Sequence, residues 1–394
     1  MASNALLTPS IVTKETLAIL ENNLVAAGKV NRQFENQFVK IGTTLTVRKP
    51  NRFKVTTGPA LQIQDISEPS TSISISNQAH VDFQFSSQEL TLSVEDFSER
   101  YCKPAAVELA NYMDYAVLGL FNQLFNVVGT PGTVPATFSA LGAVGQRMDE
   151  GAVPQEGRVM ILNPAAYWSM ANGLVGYYVQ SVSAPALKGF LASIANFEIY
   201  QDQNIQSQTV GNYAGTPVVN GASQTGASLI TNGWSSSLPG LLNVGDVFTV
   251  AGVYAVNPRN RQSTGSLQNF LVQSTAASDG SGNSTLSIYP AITTSGAYQT
   301  VSGSPANGAA IVVKGAANTT YFQNVAFVKD AFGLVTVPME LPGGVDFAAR
   351  EMFRNTSIRV LRAYDIFNDV APARLDILFG QAVFYPELGA RLTN

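Results

Sequence analysis

Hydrophobic positions recur at two different periods along this chain, and each change of period marks a new element. Between Ile11 and Ala27, Leu17, Leu20 and Leu24 stand three and four residues apart, which predicts a short amphipathic helix ending near Gly28. From Thr43 the period becomes two. Leu45 and Val47, Leu61 and Ile63, Ile73 and Ile75, then Val81, Phe83 and Phe85 alternate with polar residues, while Pro50, Gly58-Pro59 and Pro69 mark turns. This pattern predicts a long extended arm of two or three strands. Ser98 to Asn126 returns to helical spacing, with Leu109, Tyr112, Met113, Ala116, Val117, Leu120, Phe121 and Leu124 forming a broad apolar face. Pro104 suits its first turn and Gly129 lies beyond its end. At the rise of an α-helix such an element would span roughly 35 Å, a length suited to a spine.

Thr130 to Pro135 reads as a compact linker, followed by a helix over Phe138–Asp149 and a buried strand over Arg158–Leu162. Asn163-Pro164 then opens another helix through Tyr167 and Trp168, so this part predicts an α+β unit. Composition shifts near Thr209. From there to Asn318 the only charged side chains are Asp246, Arg259, Arg261, Asp279 and Lys314, among abundant Gly, Ser, Thr and Asn. Strand signals at Leu242–Val256, Leu267–Val272, Thr285–Ile288 and Ala310–Val313 predict a separate β-barrel or sandwich. Longer, more charged strands resume at Thr320. A domain that resumes after a self-contained β unit implies an insertion, although two sequential domains would leave a similar composition.

The chain has 394 residues, so more than one folding unit is expected. Only 13% of residues are charged and 45% are hydrophobic, a skin neutral enough to favour association over solitary life. The net charge of −4, with no block of basic residues, excludes sequence-independent gripping of DNA. Cys102 is the single cysteine, so no internal disulfide is possible and a reducing compartment suits the chain. The N-terminus carries no early basic region, and Lys14-Glu15 interrupts its apolar run, which argues against a secretory leader. No apolar stretch of about eighteen residues occurs, so no membrane association is expected.

Candidate chemistry fails on spacing. Gly28-Lys29 is preceded by Asn23 where a phosphate loop needs glycine and is followed by Val30 where it needs Ser or Thr, so Gly28 reads as a helix terminator. His80 is the only histidine, which excludes multi-histidine metal sites, and it sits on an alternating stretch as a surface strand residue. Cys102 reads as a small buried residue and not as a nucleophile. The stretch Asp279 to Asn283 has calcium-like alternation of oxygen-bearing side chains, but Pro290 stands where the bidentate Glu belongs, and a hairpin turn explains it better. Glu95, Asp96 and Glu99 precede the long helix, where negative charge meets the positive end of its dipole. No catalytic residue, metal or cofactor is expected. Arg48, Lys49, Arg52 and Lys54 form the densest basic patch, straddling Pro50 in the extended arm.

The C-terminal runs Asn324–Thr336, Ser357–Asp369 and Ala373–Gly389 resemble the end of tailed-phage major capsid proteins, specifically the coat proteins of the short-tailed Salmonella phage type. Val244–Pro258 and Thr264–Val272 are similar to the inserted domain of that same family. The resemblance implies a Hong Kong 97-type α+β capsid fold: an N-terminal arm (1–42), an extended loop (43–75), and a peripheral domain (76–136) with a spine over Lys103–Asn126. It also implies an axial domain (137–219 and 318–394) interrupted by an inserted β-barrel (220–317). The implied function is an icosahedral phage head, built of copies of this chain in the virion and enclosing double-stranded DNA without sequence-specific binding. Scaffolding protein and portal protein are the implied partners, assembly takes place in the host cytoplasm, and no enzyme activity is expected. Because the family places its loop against a neighbour, Arg48, Lys49, Arg52 and Lys54 become candidate intersubunit contacts. The insert carries fewer charges than electrostatic contacts between subunits would need. Two rivals are a nanocompartment shell, which usually lacks such an insert, and a β-rich carbohydrate-binding or carbohydrate-processing tail protein, for which the insert offers few carboxylates.

Overall fold

The computed structural model describes residues 9–34, 44–61, 63–64, 66, 68–86, 101–173, 193–353 and 356–394. These divide into two compact units: residues 1–47, 70–117 and 332–382 form the first, and 48–69, 118–331 and 383–394 the second. Strands are numbered β1 to β20 and helices α1 to α4 along the chain.

In the first unit, α1 (Pro9–Asn23) packs against two strands of a five-stranded sheet, β17 (Phe347–Phe353) and β18 (Thr356–Arg362). Leu17 and Leu20 are buried, as their spacing predicts. The helix stops at Asn23 rather than near Gly28. The main chain beyond it is held instead by α2 (Lys103–Leu118), whose buried Asp114 accepts from the Val25 and Ala27 amides at 2.8 and 2.7 Å. The sheet runs β16 (Phe332–Thr336), β19 (Val370–Val383), β18, β17, with β3 (Asn77–Ser86) also paired to β19. Arg359 and Asp376 stand opposite each other on β18 and β19 and form an ion pair at 2.5 Å, which gives the fully buried carboxylate a partner. A smaller pair joins β1 (Thr44–Arg48) to β2 (Ser70–Ser74).

α2 and its continuation differ from the single long helix that the spacing predicts. The α-helix ends at Leu118, and Gly119–Gln123 tightens into a 3-10 turn before Leu124 adopts an extended conformation. Gly119 stands at the break. It is the poorest helix former on that face apart from proline, and a Cβ there would meet the Gln206 side chain at 2.9 Å. Ser98, Glu99 and Arg100, along with Glu95 and Asp96, lie outside the described residues.

The second unit holds two sheets. One runs β4 (Val127–Val128), β20 (Gly389–Thr393), β15 (Thr320–Val328), β5 (Arg158–Leu162), β7 (Phe197–Gln201), β6 (Ser193–Ile194), with β8 (Ser207–Thr209) paired to β15. All five residues of β5 are buried, in agreement with the apolar run Val159–Leu162. α3 (Phe138–Glu150) and α4 (Pro164–Gly173) cover the sheet through Leu141, Val144, Met148, Tyr167 and Met170. Arg158, on β5, is accommodated because its guanidinium donates to Asp149 at 2.6 Å and to the Pro154 and Val153 carbonyls at 2.7 and 2.8 Å.

The other sheet lies wholly within Gly215–Val313. It runs β14 (Ile311–Val313), β11 (Val247–Val256), β12 (Ser263–Val272), β13 (Ser284–Ile292), β10 (Gly226–Trp234), β9 (Gly215–Val219). A bridge between Val218 and Ala310 brings its two ends together, giving a nearly closed barrel. Its interior is its own: Leu229, Trp234, Phe248, Val250, Phe270, Leu286, Ile288 and Ile311 form one buried cluster. The indole of Trp234 donates to Thr231 at 2.8 Å, and that hydroxyl donates to the Ser284 carbonyl at 2.8 Å, so the barrel's one buried indole is satisfied. β8 and β15, the strands flanking the barrel in sequence, pair with Thr209 opposite Thr320, so the barrel leaves and rejoins the first sheet side by side.

Candidate intersubunit contact site

The four basic candidates lie at the root of a loop in the second unit, residues 48–69, whose described residues form no strand after Arg48. Pro50 and the Gly58-Pro59 pair break strand geometry, and no strand among the described residues pairs with residues 49–69. The structure separates the four residues. Arg52 pairs with Glu387 at 2.5 Å, its amide donates to Tyr298 Oη at 3.4 Å, and its guanidinium lies 6.0 Å from the Tyr298 ring. Lys49 sits over the Tyr385 ring at 5.1 Å. Burial pulls the Lys49 ammonium below its ordinary pKa and Arg52 adds to the effect, while Glu387 opposes it. Arg48 pairs only with Glu68 across the loop's base at 3.3 Å, and its side chain is 80% exposed. Lys54 engages through its main chain, which exchanges two hydrogen bonds with the Gln64 side-chain amide and thereby pinches the loop across ten residues.

Charge alone could not have pointed to the other half of this site. Val55, Leu61 and Ile63 are 88%, 86% and 86% exposed, and Phe53 and Ile66 are also exposed. The alternation at Leu61 and Ile63, which predicts a strand, is therefore present without a strand partner. Arg261, from the turn between β11 and β12, fixes the loop's root by donating to the Phe53 carbonyl at 3.2 Å and the Ala297 carbonyl at 3.0 Å.

The residues considered for chemistry take structural places. Cys102 is fully buried, and burial pushes its thiol up to about 11, the opposite of nucleophile activation. His80 is exposed on β3 and contacts Asp82 at 2.7 Å. Asp279 caps its own hairpin, accepting from the Ser281 and Asn283 amides at 2.8 Å each and from the Asn283 side chain at 2.9 Å, which holds its carboxyl below the usual range. Among the described residues no group of three His, Cys, Asp or Glu is placed to hold a metal, and no helix is long and apolar enough to cross a membrane.

An α+β chain with a strand-rich unit, a nearly closed barrel and a projecting apolar loop is a major capsid protein of tailed phages, with the Hong Kong 97-type fold; copies of it form the icosahedral head, and its place is the virion. It belongs to the P22 coat protein family, whose model, described as P22 coat protein, gene protein 5, matches residues 1–235 and 227–394. Among solved structures, a chain from Mycobacterium phage Che8 is 12% identical and aligns over 94% of this chain and 90% of its own, with a TM-score of 0.51. A chain from the asymmetric unit of the bacteriophage PhiM1 mature capsid is 8% identical over 94% and 86%, at 0.48, and one from a virus-like particle of Pyrococcus furiosus is 9% identical over 97% and 97%, at 0.41. Of these three, the Che8 chain carries the likeness in fold. No curated protein matches the chain.

Proposed function

We propose that the loop of residues 48–69 is the strap that joins neighbouring copies in the head. Lys49 and Arg52 root it on its own subunit, while Arg48 and Lys54 contribute charge to the contact in trans. One observation carries this reading: Val55, Leu61 and Ile63 stand almost fully in water. Each is a residue whose burial is worth about 1.5–3 kcal/mol, and repetition of the contact in every subunit multiplies a gain too small to hold two copies alone. The shell so formed encloses double-stranded DNA without gripping it, consistent with a net charge of −4. Scaffolding protein and portal protein are its partners during assembly in the host cytoplasm, and the chain's role is structural rather than catalytic. Residues 220–317 act as an inserted domain, a reading supported by the pairing of β8 with β15 on either side of the barrel.

The test separates the two halves of the loop. Reversing Arg48 and Lys54 to Glu should leave the subunit folded by circular dichroism and lower the yield of closed shells, most strongly at low salt. The Arg52→Glu change should be repaired by Glu387→Arg, because that pair lies within one chain. Full shell yield from the folded Arg48/Lys54 variant at every salt concentration would leave those two charges merely solvated.

A further inference from the structure

Beneath the loop's root, inside the second unit, lies a cavity of about 610 Å3. Its size is that of a small-molecule site. Phe125, Val256, Tyr289 and Leu388 give it an apolar lining. Arg52, Arg147, Arg259 and Arg261 also line it, against two carboxylates, Glu150 and Glu387. Both carboxylates are engaged: Arg147 pairs with Glu150 at 3.3 Å and Arg52 with Glu387 at 2.5 Å. Arg259 and Arg261 are left in excess. Arg261 spends its Nη atoms on carbonyls, and its Nε is buried with no hydrogen-bond partner. The cavity wall therefore carries two positive charges that no carboxylate of the lining answers.

We propose that this cavity is a binding site for a small amphipathic anion, a carboxylate or similar head on an apolar body. The head pairs with Arg261 and Arg259, and the body lies against Phe125, Tyr289 and Leu388. A neutral ligand of the same length would fill the cavity and leave the excess positive charge unanswered, so the head group decides affinity.

Titration calorimetry of the unassembled full-length subunit with decanoate, below its micelle concentration, tests this. Decanol serves as the neutral control. One decanoate should bind per chain, about tenfold or more tighter than decanol, since a hydrogen bond to a charged group is commonly worth that factor. Arg261→Gln should remove that preference. Because Arg261 also holds the loop's root, Gln299→Trp, which fills the cavity from another wall, provides an independent variant that should abolish binding while leaving circular dichroism unchanged. Absence of saturable binding, a stoichiometry well above one, equal affinity for decanol, or undiminished binding to the Gln299→Trp protein would each overturn the proposal.

Discussion

Asp246 and Arg391 are both buried in the second unit, at 2% and 1% exposure. Burial lowers the Arg391 guanidinium to about 9, an effect that Asp246 partly offsets, and burial also raises the Asp246 carboxyl. Asp246 remains tolerable because it accepts from the Gly211 and Asn243 amides at 2.9 and 2.8 Å and from the Gln208 side chain at 3.0 Å. An Asn at 246 would turn an amide NH2 toward donors and leave Arg391 uncompensated. Asp246→Asn should therefore destabilise the subunit by about 3 kcal/mol, read as a lower urea midpoint with an unchanged slope. Cys102 supplies a pH dependence of known sign. Its folded pKa of about 11 lies above its ordinary value of 9.0, so the unfolded chain loses the proton first. The stability it contributes is complete below pH 9 and is lost as pH rises toward 11. Wild type should lose stability over that window more steeply than Cys102→Ala, and parallel curves would refute the assignment.

At the scale of elements, close backbone approach sets one sharp constraint. Gly380 on β19 lies so near residues 74 and 75 that an added Cβ would sit 2.2 Å from the Ser74 carbonyl oxygen. Gly380→Ala should force those segments apart and cost about 1–3 kcal/mol, measured as a fall in melting temperature. Elements with a strong apolar period were legible in sequence: the α3 and α4 helices, β5, and the strands β11, β12 and β13 all lie where their patterns predict. β9 and β10 were not. Their sequences, Gly-Thr-Pro-Val-Val and Gly-Ala-Ser-Leu-Ile-Thr-Asn-Gly-Trp, are strands because the barrel supplies neighbours and an interior for Val219, Leu229 and Trp234, and no local period announces that. The loop fails in the opposite sense, since its alternation is real and no strand among the described residues pairs with it. Its basic residues were visible as a cluster, yet only three-dimensional proximity reveals that Lys49 and Arg52 face Tyr385 and Glu387, more than three hundred residues later.

For the whole molecule, the barrel's self-contained core predicts independence. Residues 215–317 expressed alone, so that β9 is kept, should give dispersed amide signals and a cooperative thermal transition, because the cluster around Phe248 and Phe270 draws almost wholly on that segment. A disordered spectrum would mean that the strands depend on the sheet from which they emerge. Shell formation makes the larger demand. On the proposed strap role, a chain with 13% charged residues and an apolar loop standing in water buries that loop only when other copies cover it. The most direct measurement is the yield of closed shells, by electron microscopy and light scattering, from a variant with Val55, Leu61 and Ile63 all changed to Asp. These side chains touch little of their own subunit, so its circular dichroism and melting temperature should match wild type while closed shells fall to background. Shells formed at wild-type yield by that folded variant would show that the loop does not join the copies.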